Sequence, residues 1–258
     1  MSKRLPVLFI AHGSPMNIIL DNDYTKALNK ISSKFEKPKA ILVISAHWKT
    51  KGSFINISDS PKQIYDFYGF PEELYKIKYD VLGSKEPALK VLSELKNMKV
   101  MSTESWGLDH GAWGILRHIY NGQNIPVFQL SLNGAKDERY HYELGKRLSK
   151  LREEGILIIG SGNIVHSFRY MKDDINSSAP DFAVEFEKYV KNSLLNENHE
   201  NLINYKKLGT PALKSVPTDE HYLPLLYIAG AKKSEDKITF IYEGFQNASI
   251  AMTSFMIG

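Results

Sequence analysis

The stretch LPVLFIAHGSPMN, Leu5 to Asn17, decides how the chain is read. Leu5 to Ile10 is apolar at successive positions rather than at alternate ones, which suits a strand buried on both faces of a parallel sheet. It runs straight into Ala11-His12-Gly13-Ser14-Pro15, so a histidine stands directly behind the strand. The same design returns twice. Ala40 to Ser45 (AILVIS) is followed by His47, and Ile156 to Gly160 (ILIIG) leads through a Gly-rich turn, Gly160-Ser161-Gly162-Asn163, to His166. Pro126 to Leu132 and Ile238 to Tyr242 read as two more strands. Helical periodicity fills the intervals at Tyr24 to Phe35, Pro87 to Leu95, Asp137 to Leu151, Asp181 to Leu195 and Glu220 to Ala231. This alternation predicts an α/β fold with a mostly parallel central sheet and helices on both faces. Open sheets of this kind bind ligands beyond the carboxyl ends of their strands, so a metal site is expected at the C-terminal strand ends.

Outward from those strands the chain offers few boundaries. It has 258 residues with no repeat, no low-complexity stretch and no clear linker, and residues 1–258 are read as one catalytic domain. Lys51 to Gly83 is irregular and rich in aromatics (Tyr65, Phe67, Tyr68, Phe70, Tyr75 and Tyr79) and reads as an excursion covering one end of the sheet. Its rings are expected to pack as core, with the wall of a ring-binding pocket as the sharper alternative. Ser249 to Ile257 is apolar and reads either as a final strand or as part of an interface.

Composition removes several classes of function. There is no cysteine, which excludes disulfides, thiolate metal sites and a cysteine nucleophile, so any metal must be held by nitrogen and oxygen. The net charge of +4 and pI near 8.9 come from lysines spread along the chain, without the dense basic and aromatic runs of a nucleic-acid binder. The apolar N-terminal run is too short for a signal sequence or a membrane span. The expectation is a cytoplasmic protein, a monomer or small homo-oligomer, with no nucleic-acid or membrane partner.

The eight histidines carry the chemistry. One histidine behind one strand is more often a packed or capping residue than a ligand. Three of them at strand ends of one sheet, His12, His47 and His166, reverse that weighting, because imidazole is a good ligand for Zn2+ and Fe2+. His110, in Trp106-Gly107-Leu108-Asp109-His110-Gly111, stands in a tight turn opening a helix. His221, in Thr218-Asp219-Glu220-His221-Tyr222, is expected just inside a helix start with Thr218 or Asp219 as its cap. The remaining three are placed elsewhere: His118 at a helix C-terminus, His141 on a helix surface or helix contact, and His199 in a solvated polar loop. No paired histidines flank a glutamate in zincin spacing, and Gly160-Ser161-Gly162 is only a fragment of a nucleophile elbow. That glycine-flanked segment also lacks the lysine and third glycine of a nucleotide loop, and reads as a turn that aims His166.

Five phrases together resemble a known family. They are Ala11-His12-Gly13-Ser14-Pro15-Met16-Asn17, Ser45-Ala46-His47-Trp48, Trp106 to Gly114, Gly160 to His166, and Glu220-His221-Tyr222-Leu223-Pro224-Leu225. In this order, from about residue 5 to the C-terminus, they resemble the class III extradiol ring-cleavage dioxygenases, most closely the DODA type, the 4,5-DOPA extradiol dioxygenases. The resemblance implies a metal-dependent enzyme that opens a catecholic ring with O2. It implies His12 and His47 as metal ligands and His221 as the residue completing the set. The wider superfamily has a carboxylate at that last position, so His221 is a departure, and the adjacent Glu220 is an alternative ligand. Zn2+ and Fe2+ both fit three histidines. The resemblance further implies His166 as acid/base, within reach of the metal and so a possible fourth ligand, and His110 as a residue contacting substrate or oxygen. A zinc-dependent non-oxidative enzyme and a non-catalytic binding protein on the same scaffold are the competing readings. Retention of all five histidines speaks against the second of these, and metal analysis separates the first.

Overall fold

The computed structural model describes residues 4–121 and 124–258. Its centre is a sheet of six strands: β1 (Val7–Ala11), β2 (Ala40–Ser45), β5 (Val127–Gln129), β6 (Ile156–Gly162), β7 (Ile238–Tyr242) and β8 (Ser254–Ile257), in the order β5-β2-β6-β1-β8-β7. The four strands from β5 to β1 are mutually parallel. β8 pairs antiparallel with β1 on one side and with β7 on the other, so one reversed strand interrupts an otherwise parallel sheet. The apolar Ser249 to Ile257 segment therefore supplies a strand.

Successive residues of the central strands feed opposite cores, as a period of two demands. Val7, Phe9, Leu42, Ile44 and Ile158 face one layer, built with α2 (Lys85–Glu94), α4 (Glu138–Leu148), α5 (Asp181–Leu195) and α6 (Leu223–Gly230). Leu8, Ile10, Ile41, Val43 and Ile159 face the other, with α1 (Asp23–Asn29) and α3 (His110–Ile119). The expected α/β sheet with helices on both faces is what forms.

Several boundaries differ from the sequence reading. The segment expected as one strand from Pro126 stops at Gln129, and Leu132–Asn133 pairs instead with Lys49–Thr50. The helix expected over Tyr24 to Phe35 ends at Asn29 and continues as a separate 3-10 turn, Ile31–Lys34. The one expected to Leu151 ends at Leu148 before a 3-10 segment, Ser149–Glu154. Inside the excursion lies β3 (Ser53–Asn56), paired parallel with β4 (Val100–Thr103) in a side sheet with no clear sequence signal. Gly160-Ser161-Gly162 is not a turn: it is the last part of β6. The glycines serve packing instead. A Cβ on Gly162 would stand 2.1 Å from the His221 carbonyl oxygen, so only glycine lets the chain ahead of α6 lie against this strand.

Among the described residues no helix is long and apolar enough to cross a membrane.

Candidate metal centre

β1, β2 and β6 run parallel and end at the same edge, where His12, His47 and His166 follow them. His110 is the first residue of α3, which is capped by Asp109: its side chain accepts the Ala112 N–H. The Asp109 carboxylate is fully buried and does more than cap. It also accepts the Ser45 hydroxyl at 2.7 Å and the Gln129 amide at 2.9 Å, tying the ends of β2 and β5 to the start of α3. Gly111 completes the approach, since a Cβ there would meet Ser45 Oγ at 2.6 Å. His221 lies in the turn ahead of α6, not inside the helix, and the Asp219 carbonyl accepts the N–H groups of Tyr222 and Leu223.

The arrangement of ring nitrogens is specific. His12 Nδ1 lies 2.9 Å from Ser161 Oγ, and Ser161 donates its own proton to the Gly111 carbonyl at 2.6 Å. Ser161 can therefore only accept from His12, which fixes the proton on Nδ1 and leaves Nε2 bare. His221 Nδ1 stands 3.2 Å from Glu220 Oε1, which holds that proton, and His47 Nδ1 lies 3.1 Å from Asp66 Oδ2 in an ion-pair contact whose negative charge favours a proton on the same nitrogen. The Nε2 atoms of His12 and His47 then face each other at 3.1 Å. Two bare lone pairs at that distance repel unless a proton or a metal ion lies between them. One ion at about 2.0–2.1 Å from each nitrogen, with angles of roughly 90–110°, separates its ligands by roughly 2.8–3.4 Å. His12, His47 and His221 offer ligand atoms all within 4.8 Å of one another, and this donor set fits a divalent transition metal.

His166 stands outside that group. Its ring stacks flat on His221, with centroids 3.5 Å apart and 4° between planes. Glu220, the alternative ligand, turns its carboxylate to the Nδ1 side of His221 and to the Thr218 hydroxyl at 2.7 Å. The imidazoles also shape one another's charge. Burial, reinforced by the neighbouring histidines, pushes the pKa of His12 and His221 well below the ordinary value. Burial and the His47 field lower that of His166 to about 4. For His47 burial acts downward, but Asp66, Asp109 and Glu220 outweigh it and raise the pKa.

All five histidines line a single cleft of about 340 Å3. Phe67, Tyr68, Phe70, Phe168, Met171 and Ile250 form its apolar walls. The aromatic excursion thus both packs and walls. Tyr65 lies edge-on to Trp113, Phe67 stands edge-on to His110 at 5.5 Å, and Tyr68 at the mouth is 88% exposed.

The other histidines are structural. His118 Nε2 donates to the Asn17 carbonyl at 2.8 Å. His141 is fully buried between α4 and α6 with Nδ1 3.0 Å from the Tyr227 hydroxyl, which makes it a helix contact and not a surface residue. His199 is half-buried rather than solvated, 2.6 Å from the Tyr142 hydroxyl. Sequence reasoning missed Asp66 and the support given by Ser161. The one signal for Asp66 was an acid set among rings, Tyr65-Asp66-Phe67-Tyr68.

Comparison with known proteins shows the family and the fold. Residues 6–258 match the family described as the catalytic LigB subunit of aromatic ring-opening dioxygenase. The chain is 41% identical to a 4,5-DOPA dioxygenase extradiol of Escherichia coli K12, covering 100% of this chain and 96% of that protein. It is 37% identical to the protein of the same name from Beta vulgaris, covering 96% and 94%. The crystal structure of an uncharacterized protein from Escherichia coli K12 superposes with a TM-score of 0.86 at 38% identity, covering 99% of this chain and 100% of that one.

Proposed function

The chain belongs to the LigB family of aromatic ring-opening dioxygenases, and from that premise we propose how its residues divide the work of an extradiol ring cleavage. His12, His47 and His221 hold one metal ion through Nε2. The observation that carries this is the convergence of three imidazoles whose Nδ1 atoms each face an oxygen within 3.2 Å, two of them in hydrogen bonds. When bound, Fe2+ supplies Lewis acidity toward a catechol hydroxyl and the redox capacity that O2 chemistry needs and that d10 Zn2+ lacks.

The chain's own groups do the rest. His166 accepts a proton from a catechol hydroxyl and later returns it, and a pKa near 4 keeps it in the accepting, neutral form at neutral pH. Its stacked position on His221, outside the three-nitrogen set, favours proton transfer over ligation. His110 hydrogen-bonds a substrate oxygen from the opposite wall. Phe67, Phe70 and Phe168 hold the ring and exclude water. The substrate class is a catechol with a side chain, DOPA-like as the relatives' names suggest, and the co-substrate is O2. We read residues 1–258 as one catalytic domain acting in the cytoplasm as a monomer or small homo-oligomer.

Anaerobic loading with Fe2+, followed by DOPA or catechol in air, tests the reading. It expects a yellow ring-opened semialdehyde and one O2 consumed per ring. Absence of both across several catechols, in protein that retains Zn2+ through purification, would move the function to a non-oxidative zinc enzyme. That second reading is favoured by one observation, the all-histidine ligand set.

A further inference from the structure

We propose that Asp66 is a positioning residue that fixes the tautomer of two histidines at once, His47 in the ligand set and His110 on the cleft wall. This rests on the metal-centred reading above. Asp66 sits in an irregular part of the excursion, yet its carboxylate is only 19% exposed and reaches both rings. Oδ2 stands 3.1 Å from His47 Nδ1, and Oδ1 stands 3.1 Å from His110 Nδ1, ion-pair contacts in which Asp66 Oδ2 and His110 Nδ1 have no other polar partner among the described residues. Oδ1 also accepts the His110 backbone N–H at 2.8 Å, which holds the carboxylate in register with α3. The two rings come from different elements, the end of β2 and the start of α3, and lie 4.1 Å apart centroid to centroid.

An ionised carboxylate only accepts, so both Nδ1 atoms must carry the proton to meet it favourably. The consequence differs for the two rings. His47 presents a bare Nε2 toward His12. His110 keeps a bare Nε2 for the cleft it lines, so it approaches the substrate first as a proton acceptor. Once protonated, His110 becomes a donor to the oxyanion and its imidazolium is paired with Asp66, the logic of an acid-oriented histidine base. Helix capping accounts for only part of Asp66: Oδ1 takes the His110 N–H while Asp109 takes that of Ala112, and Oδ2 is left facing His47.

Asp66→Asn is the sharp variant. An amide has one accepting and one donating end, so it suits one ring and drives the other into the opposite tautomer. Three readouts follow: nitrogen-15 NMR of the histidine rings, Co2+ titration by visible absorption, and thermal unfolding. Wild type is expected to show Nδ1–H on both His47 and His110. In Asp66→Asn one of them switches to Nε2–H, Co2+ affinity or turnover falls about 10–100-fold, and unfolding shifts little. An unprotonated Nδ1 on either ring in the wild type overturns the proposal even if the variant does not fold. So does a variant with unchanged tautomers and unchanged Co2+ affinity. Wild type that takes up no Co2+ refutes the metal centre instead, and the ring tautomers still decide the role of Asp66.

Discussion

Gly162→Ala tests whether the metal centre depends on the close approach of β6 to the turn carrying His221. The added Cβ would stand 2.1 Å from the His221 carbonyl oxygen, against an ordinary contact of 3.4 Å or more, so the carbonyl must retreat by about 1.3 Å. That oxygen accepts the Asn163 N–H at 2.8 Å, and the retreat breaks this bond. Overpacking of this kind costs about 1–3 kcal/mol. The functional cost is larger, because a ligand set tolerates only about ±0.2 Å in its metal distances. His12 and His47 cannot follow His221, since Ser161 and Asp66 anchor them from other segments. The expected result is a fall of roughly 100-fold or more in Co2+ affinity, with turnover lost in step. Gly230→Ala is the control. Its Cβ would meet the Tyr142 carbonyl at 2.2 Å, an equal clash at the far end of the same helix, α6. It should destabilise similarly and leave metal affinity near wild type. Titrations and thermal melts on both variants decide the matter. Equal losses of metal affinity, or a folded Gly162→Ala protein with wild-type affinity, would refute the idea that this contact places a ligand.

Ser161→Ala removes the acceptor for His12 Nδ1 and the side-chain donor to the Gly111 carbonyl, and should weaken Co2+ binding about 10–100-fold in a direct titration. His12→Ala should abolish metal retention, whereas His110→Ala should keep full metal stoichiometry by elemental analysis and lose turnover. Burial alone would raise the Asp236 pKa, but Arg152, the Lys233 N–H and Arg4 outweigh it and hold it at about 2 against an ordinary 3.8. A depressed carboxylate stabilises the fold above its unfolded pKa, so this contribution is complete above about pH 5 and fades as pH falls from about 4 toward 2. Acid unfolding of Asp236→Asn should therefore show a shallower dependence over that window. Arg152 is fully buried and donates to both Asp236 oxygens and to the Leu5 and Ala231 carbonyls, so Arg152→Met should cost about 3–5 kcal/mol in denaturant unfolding by leaving Asp236 buried without its main partner.

The sequence announced whatever was written in long apolar runs. β1, β2 and β6 are buried on both faces, so their patterns were unbroken and the histidines behind them stood out. The side strands β3 and β4 were not legible, because Ser53-Phe54-Ile55-Asn56 and Val100-Met101-Ser102-Thr103 are short and half polar. Gly160-Ser161-Gly162 read as a turn by composition, yet Gly162 answers to the chain ahead of α6 and Gly160 to α6 itself, neighbours about sixty residues away that no local pattern reveals. His221 was placed in a helix because Glu220 to Ala231 has helical composition, but the Asp219 carbonyl closes a turn first and Pro224 stands in the first turn of a helix that starts at Leu223. Asp66 was silent for a related reason: its meaning lies in two rings supplied by β2 and α3, far off in sequence.

That dispersal has a thermodynamic consequence. His12, His47 and His221 come from three segments joined only by the folded sheet, and their anchors Ser161, Asp66 and Glu220 come from segments around β6, the excursion and the approach to α6. No short stretch of the unfolded chain gathers these nitrogens, so an ion that selects this set binds the native state almost alone. Binding at free metal 1,000 times its Kd then adds about 4 kcal/mol to global stability by mass action. Co2+ should raise the unfolding midpoint of wild type, raise that of Gly230→Ala by a similar free energy, raise that of Gly162→Ala by no more than about 1.4 kcal/mol at the same metal concentration, and leave His12→Ala nearly unmoved. A rise of equal size in His12→Ala would mean that the stabilising ion sits elsewhere, and would remove the main support for the centre at the strand ends.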